Sequence, residues 1–443
     1  MHVRWGVALR APVQGPIRHR GAGRRHEGEP MTDTRYAFYV GIDWASAAHQ
    51  VVVLDHERRP VADRSVAHTG AALDECATWL ATMAAGHSEQ VGIAIEVPRG
   101  AVVETLLERG FHVFAINPKQ LDRFRDRHTV AGAKDDRRDG LVLADSLATD
   151  QPAFRRLRPE EPAVIQLREL TRVDEDLQDE ERRLSNRLRE QLQRVSPPLL
   201  AFCPGADEPW VWALLAQAPT PEQGRRLTRA AVARLLAEHR IRRVTADEIV
   251  AQLRTPPLFV APGTVAAVAE HISLLVPRLE LLRAQRRHCA GRIERVLKDL
   301  EMPAEGQEGH RDATIFRSLP GAGRVVVATM LAEASRPLAD RDYHALRAQG
   351  GVAPVTRQSG QRHAVHMRHA CNPRVRQALY HWARVSTQYD PATRRHYDAL
   401  RGKGHSHGRA LRGVADRLLA LLVAMLKAGA TYQPERRRAW ATA

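Results

Sequence analysis

Cysteine is scarce in this chain: there are four in 443 residues, Cys76, Cys203, Cys289 and Cys371. Scattered in that way they form neither a Cys-x-x-Cys metal site nor a compact disulfide framework, so no zinc site is read from them and a reducing cytoplasm is expected. Acids are in deficit, with 51 Asp and Glu against 67 Lys and Arg. A long apolar run is missing too. The most apolar stretch, LLALLVAMLKAGA near the C-terminus, falls short of the roughly 20 residues that a bilayer span needs and reads as a core helix. The first thirty residues, rich in Arg, Gly and Pro, contain the short run WGVAL but no hydrophobic core of a signal peptide. These absences argue against a disulfide scaffold, a secreted protein and a membrane protein.

What remains is a basic globular chain. Its formal charge of +16 calls for a polyanionic partner, nucleic acid first, and 44% hydrophobic content is enough to build cores in two or three domains. Residues 1–33 are expected to be a disordered basic extension. Met31 opens MTDTRYAFYVGIDWA, where strand-like patterning begins, so translation is expected to start there as an alternative to Met1.

From Arg35 to about residue 155 apolar runs and helical spacings alternate. YAFYVGID and HQVVVLD suit two paired strands, and RSVAH adds a third. LDECATWLATMA has helical spacing, QVGIAIE is a buried-strand run, AVVETLLERG is a helix stopped by Gly110, and FHVFAIN is a further strand. A helix through DDRRDGLVLADSLA closes the series. Three strands followed by helix, strand, helix, strand, helix is the element order of an RNase H-like fold, although other α/β folds share it. From 156 to 310 a helical connector is expected: Leu170, Leu177 and Leu184 fall seven apart on one long helix, and VAEHISLLVPRLELLRAQRRHCAGRIERVLKDL forms a second. An antiparallel hairpin, a dimer interface and a plain bundle core all fit that pair. A mainly α C-terminal domain is expected over 311–432, with a basic tail over 433–443. It contains SLPGAGR, whose Pro-Gly-x-Gly turn matches a helix-hairpin-helix and offers backbone N–H groups at Gly321, Gly323 and Arg324 to a phosphate. A purely structural turn is the other reading.

In so basic a chain the acids that stand at strand ends are conspicuous. Asp43 follows one apolar run and Glu96 another, and burying a lone carboxylate is costly without a partner, a metal or a raised pKa. In AGAKDDRRDG, Asp136 and Asp139, or Asp135 and Asp139, share a helix face with Cβ atoms roughly 5–6 Å apart. A solvated helix face with arginine pairs explains that cluster on its own. In an RNase H-like arrangement the acids of both strands and of the last helix share one site instead. Such a set of hard oxygen donors suits Mg²⁺, two ions per site, with Mn²⁺ as the alternative. Lys134, Arg137 and Arg138 then serve the phosphate backbone.

The motifs GIDWA, IEVPRG, INPKQLDRFR, KDDRRDGLVLA, LPGAGRVVVATMLAE, GGVAPVTRQSG and NPRVRQAL, in this order, resemble the insertion-sequence one-ten family of transposases, the DEDD recombinases with a RuvC-like N-terminal domain. The resemblance implies an α/β RNase H-like (RuvC-like) domain, a long helical or coiled-coil connector and a mainly α C-terminal domain. It also implies that Asp43, Glu96, Asp136 and Asp139 hold metal and that Ser359 in VTRQSGQ is the nucleophile, forming a transient phosphoserine link to DNA. The family's Lys-Thr-Asp-x-x-Asp-Ala signature appears here with Asp135 for Thr and Gly140 for Ala, so Asp135 is an alternative ligand and the choice of Asp136 rests on the motif and not on geometry. RHACN replaces the family's Lys-x-Gly-Asn, with Ala370 for Gly. Further expectations are a homo-oligomer, dimer or tetramer, with a site composed between subunits, DNA ends and target as substrate, a structured guide RNA encoded by the element, and a cytoplasmic, nucleoid-associated location. Serine is a weak nucleophile without activation, and Ser359 beside Gly360 also reads as an ordinary turn residue. Arg357, Gly360, Arg362, Arg368, Arg374 and Arg376 are expected along the phosphates, and His363, His366 and His369 are assigned there in preference to a metal cluster. Two rivals stay open: a junction-resolving nuclease that uses water, and an inactive nucleic-acid-binding relic.

Overall fold

The computed structural model describes residues 35–116, 121, 122, 124, 136–302, 312–359 and 362–436; of residues 136, 357, 359, 362 and 363 it describes the backbone. The expectations for residues 1–33 and for Lys134, Asp135 and Gly360 lie outside the described residues, as does most of the expectation for the tail over 433–443. The chain divides into two compact units, 1–159 and 160–443.

The first unit is a mixed sheet of order β3-β2-β1-β4-β5-β6 with helices on both faces. Its strands are β1 (Phe38–Asp43), β2 (Ala48–Asp55), β3 (Pro60–Ala67), β4 (Val91–Ile95), β5 (His112–Ala115) and the two-residue β6 (Arg155–Arg156). β1 pairs antiparallel with β2 and parallel with β4, with Ile42 opposite Ile95. β6, antiparallel to β5, was not legible in the sequence, because two arginines carry no strand pattern.

Alternation along the strands sorts the two faces. Val40, Ile42, Val51, Val53, Ile93 and Ile95 pack against α1 (Gly70–Met83) and α2 (Ala101–Glu108). α1 starts where the Thr69 hydroxyl accepts from the Ala72 N–H, and it buries Leu73, Cys76, Ala77 and Leu80, one stripe at helical spacing. Tyr39, Leu54, Ala94 and Phe114 point to the opposite face, against Val142, Leu143, Ala144 and Leu147 of α3 (Asp136–Thr149).

The second unit is helical apart from one ribbon. α4 (Pro162–Val195) and α9 (Pro262–Glu301) pack together over much of their length. Cys289 Sγ donates to Leu170 O, Arg286 pairs with Asp174, and Arg283 and Arg286 both bind Glu181, so the helices run antiparallel within one chain. The hairpin is the observed arrangement of the two heptad stretches. Between them lie α5 (Pro209–Gln217), α6 (Pro221–Arg226), α7 (Arg229–Glu238) and α8 (Ala246–Leu253). α5, α7 and α8 share a core with Leu184, Leu188 and Leu192 of α4 and Ile272, Leu275 and Leu279 of α9.

The C-terminal part comprises α10 (Asp312–Arg317), α11 (Arg324–Glu333), α12 (Ser335–Ala339), α13 (Tyr343–Gln349), α14 (Pro373–Tyr389), α15 (Pro391–Gly402) and α16 (His407–Ala428). The LLALLVAMLKAGA run lies in α16 and beyond its end, and Leu418, Leu419, Leu421, Leu422, Val423, Met425 and Leu426 are all buried. It is a core helix, and among the described residues no helix is long and apolar enough to cross a membrane. Between α13 and α14 the strands β7 (Val355–Ser359) and β8 (Arg362–His366) form an antiparallel two-stranded ribbon.

Candidate active site

Two glycines bring α3 onto the sheet. A Cβ built on Gly41 in β1 lies 1.9 Å from Gly140 O and 2.7 Å from Ala144 N, so no side chain fits between this strand and this helix. A Cβ on Gly140 lies 2.9 Å from Val52 Cγ2 and 3.4 Å from Gly41 O. The glycine that stands in place of the family's alanine is thus at the point where helix and sheet touch. A glycine inside a strand often marks such an approach of another backbone.

The direction of α3 follows from an ion pair at its other end. Asp145 binds Arg58 in the β2–β3 turn at 3.3 Å, on the side of the sheet where Phe38 begins β1 opposite Asp55. The helix therefore runs back along β1, and its first turn, with Asp136 and Asp139, lies toward the end where β1 finishes in Asp43. Alternation places Asp43 on the same face as Tyr39 and Gly41, which is the α3 face. Glu96 follows Ile95 directly, and Ala94, two residues before it, packs on α3. Since Ile42 stands opposite Ile95, Asp43 and Glu96 leave adjacent parallel strands at the same level, about 4.8 Å apart in the pairing direction.

Asp139 is buried, 6% exposed, while Asp43 and Glu96 are half-buried. All three have interactions of their own within the protein. Asp43 and Glu96 thus stand level at the ends of adjacent strands, with Asp139 on the helix that crosses this face, and carboxylates of this kind are hard oxygen donors. Among the described residues, one set of three ligand atoms lies mutually within 4.8 Å, and it is elsewhere: Cys203, Asp207 and Glu208 in the helical unit. That set is a structural knot. Arg243 holds both oxygens of Glu208, at 2.8 and 3.0 Å, Trp210 Nε1 donates to it at 2.9 Å, and the Cys203 thiol donates to Asp207. Burial pushes the Cys203 thiol pKa up, which keeps it protonated.

The predicted phosphate contacts divide by what already holds them. Arg137 is exposed and paired with Asp63 at 2.7 Å, and Arg138 is exposed. Arg374 binds Glu175 at 2.7 Å and lies 4.0 Å from Glu333. Arg376 donates to the carbonyls of Arg368 and His369 and to Cys371 Sγ, which ties down the segment before α14. Arg368 itself makes one long contact, to Ala353 O at 3.4 Å. In the SLPGAGR turn Gly321 has φ +75, and a Cβ there lies 2.7 Å from Ser386 N. Pro320 O accepts from Trp382 Nε1 and from Ser386 Oγ. One side of the turn is thus packed on α14, while Gly323 and Arg324 at the start of α11 are exposed.

Ser359 ends β7 opposite Arg362, and Arg357 is two residues before it on the same strand. The sequence suggested a loop here, since Gly360 signals a turn and the β-branched content is low. A carboxylate that sequence reasoning missed stands at the end of α11. The Glu333 side chain, 7% exposed, accepts from Arg172 Nε of α4 and from Asn372 Nδ2, and Asn372 Oδ1 in turn caps α14 by accepting from the N–H groups of Arg374 and Val375. No spacing marks a Glu of this kind, because its partners come from residues 161 and 39 positions away.

Two segments of the chain match family profiles: 40–197 the DEDD transposase of IS110, and 313–398 the Transposase IS116/IS110/IS902 family. The chain belongs to this transposase family. A Sinorhizobium fredii protein named as transposase y4uE is 49% identical over 248 residues, covering 55% of this chain and 69% of its own. A Streptomyces coelicolor protein named as the mini-circle transposase for IS117 is 28% identical over 92% of this chain and 98% of its own. The IS900 insertion-element protein of Mycobacterium paratuberculosis is 27% identical over 89% of this chain and 97% of its own. This transposase is accordingly a DNA-recombining enzyme of an insertion sequence. Its mixed α/β sheet unit precedes a helical region, as the sequence led one to expect.

Proposed function

We propose that this transposase cuts and rejoins DNA strands through Asp43, Glu96, Asp136 and Asp139 as a metal-binding carboxylate set and Ser359 as nucleophile. The observation that carries the reading is the arrival of Asp43, Glu96 and the first turn of α3 at one edge of the sheet, enforced by the Gly41–Gly140 contact. Strand order 3-2-1-4-5 with α3 over its centre supports the RNase H-like assignment of residues 34–155. The four carboxylates would hold Mg²⁺ or Mn²⁺, which when bound neutralises charge at a phosphate and activates the attacking and leaving oxygens.

The chain's own part is to orient and to exchange. The Ser359 hydroxyl oxygen bonds to the phosphorus of a DNA phosphodiester, one P–O bond to deoxyribose breaks, and the departing sugar oxygen takes a proton. The free hydroxyl of the second strand then attacks the phosphoserine and releases the serine, so no bond energy is lost between cutting and joining. Exposed Arg138, Gly323 and Arg324, with Arg368, are the phosphate contacts the reading requires. The connector (156–310), the C-terminal domain (311–432) with its helix-hairpin-helix turn, assembly as a dimer or tetramer, and a structured RNA as guide complete the proposal. The +16 charge accommodates both nucleic acids.

The test is to trap a covalent protein–DNA adduct on the element's own ends with Mg²⁺. The adduct is expected with the unaltered protein and absent in Ser359→Ala. Strand cleavage that persists in Ser359→Ala would replace the serine mechanism with attack by water.

A further inference from the structure

We propose that Trp44 is a stacking platform for a nucleobase of the DNA strand whose phosphate the neighbouring carboxylates handle, an inference that rests on the function proposed above. Tryptophan is an expensive residue to leave in water, and among the described residues the chain otherwise avoids doing so. Of the tryptophans among the described residues, Trp210, Trp212 and Trp382 are at most 1% exposed and each donates its indole N–H to a protein oxygen. Trp79 is half-buried, with the Arg64 guanidinium 4.3 Å above its ring. Trp44 is 42% exposed, and among the described residues its N–H has no hydrogen-bond partner. It immediately follows Asp43, so the two Cα atoms are about 3.8 Å apart.

The segment that carries Trp44 is held from beneath. His49 is 1% exposed, its Nδ1 accepts from the Ala45 N–H at 3.4 Å, and its Nε2 lies 2.8 Å from His68 Nδ1. His49 thus holds the Ala45 N–H through one ring nitrogen and His68 through the other. The His68 N–H donates to Ala47 O at 2.9 Å, closing the turn from both sides. The indole centroid lies 6.2 Å from that of His49, with the two planes tilted by 33°. An aromatic ring is thus presented to solvent from a tethered turn, one residue from a candidate phosphate-handling carboxylate.

Base–aromatic stacking serves proteins that hold unpaired strands, because every base offers a π-face whatever its sequence. Strand exchange needs bases to leave the duplex beside the cut. A ring fixed at that point lowers the cost of holding one such base unstacked, and it places the adjoining phosphate at the acids. Trp44 would contribute to binding the distorted strand and to the rate of cleavage, without choosing the sequence.

The test combines binding and cleavage. Trp44→Ala, Trp44→Phe and the unaltered protein are compared on an oligonucleotide duplex of the element's end, intact or with one abasic nucleotide beside the cleaved phosphate. On intact DNA, Trp44→Ala is expected to lose about 5-fold to 150-fold in single-turnover cleavage, the range that base–aromatic stacking spans, and Trp44→Phe to keep most of it. On abasic DNA the unaltered protein is expected to be slowed by a similar factor, with Trp44→Ala adding little. Equal losses from Trp44→Ala on both DNAs, or a Phe variant as slow as the Ala variant, would overturn the proposal. A readout without cleavage runs in parallel: the fluorescence lost in Trp44→Phe is expected to be quenched when the metal-free protein binds single-stranded oligothymidylate. An unquenched Trp44 on a saturated complex overturns stacking even if the protein proves inactive, whereas absence of cleavage with quenching intact counts against the metal and serine assignments alone.

Discussion

Replacing Gly41 by alanine puts a methyl group 1.9 Å from Gly140 O, 2.7 Å from Ala144 N and 2.9 Å from Gly140 C. All three are backbone atoms of α3, so no rotamer change relieves the contact. Reaching even 3.0 Å, the lower limit for real Cβ contacts, requires helix and strand to part by about an ångström at this point. That displacement opens the layer formed by Ala94, Phe114, Leu143, Ala144 and Leu147, every one of them at most 3% exposed. Overpacking typically costs about 1–3 kcal/mol. A clash against two rigid elements together with a loosened core belongs above that range, about 3–5 kcal/mol, a large share of the roughly 5–15 kcal/mol that holds a domain together. The expected result is a fall in Tm of the sheet unit on the order of 10–20 °C. Hydrogen exchange followed by mass spectrometry on the full chain localises it: peptides from β1, β4 and α3 are expected to lose protection while those of α4 and α9 keep theirs. Cleavage well below the new Tm is expected to drop about 100-fold, since a shift of an ångström in catalytic groups costs about that much. A Gly41→Ala protein with native Tm, native protection and native cleavage would refute the packing of α3 on β1, and with it the convergence of the acids.

Asp43→Asn and Asp139→Asn are expected to abolish strand cleavage while leaving DNA binding by filter retention within about twofold, because the change in charge is local; cleavage retained by both contradicts the metal assignment. Arg368→Ala is expected to weaken DNA binding and to reduce the slope of log K against log salt by about 0.9, one phosphate contact, and an unchanged slope removes it from the interface. Glu333→Gln leaves Arg172 and Arg374 facing a neutral amide in a site that is 7% exposed on the carboxylate side, and a loss of about 2–3 kcal/mol in the helical unit is expected from chemical denaturation; a loss under 0.5 kcal/mol would show that the network carries little. Burial, and secondarily His68, holds the pKa of His49 below its ordinary value, with the Cys76 thiol of α1 lining the same small cavity. The unfolded chain then binds the proton more readily. The His49 contribution to stability is therefore complete above pH ~6.5 and declines as pH falls toward the lower folded value. Tm measured against pH is expected to show that decline in the unaltered protein and a shallower one in His49→Gln.

Much of the sheet unit was legible because its strands are short apolar runs bounded by polar turns, and its helices carry single apolar stripes. YAFYVGID and QVGIAIE each contain one of the observed strands, HQVVVLD covers another but for its first residue, Ala48, and the heptad leucines mark α4. The ribbon of β7 and β8 was not legible. VTRQS and RHAVH are mostly polar, Val365 remains 60% exposed, and none of the described side chains of the ribbon is buried, so they give a pattern nothing to announce. The long-helix pair left hairpin, dimer interface and plain bundle core open, since a heptad shows that a stripe is covered and not by what. The choice came from charge: Glu181, 5% exposed, is reached by two arginines more than a hundred residues away in the same chain.

For the site, residue types were readable and commitments were not. Asp43 and Glu96 are recognisable as acids at the ends of apolar strands, and their common level follows only from the parallel register of β1 on β4. Two arginines that look alike in NPRVRQAL have different duties: Arg374 is bound to Glu175 of α4, and Arg376 to main-chain carbonyls. Both guanidiniums have already exchanged water for protein oxygens, so their loss is expected to appear as instability, whereas Arg138 and Arg324 are exposed and can meet a phosphate at little cost. The same argument explains why glycine matters more here than any charged residue. No side chain of any kind fits between Gly41 and Gly140 O, and only that close approach carries the first turn of α3 to the strand ends where Asp43 and Glu96 wait.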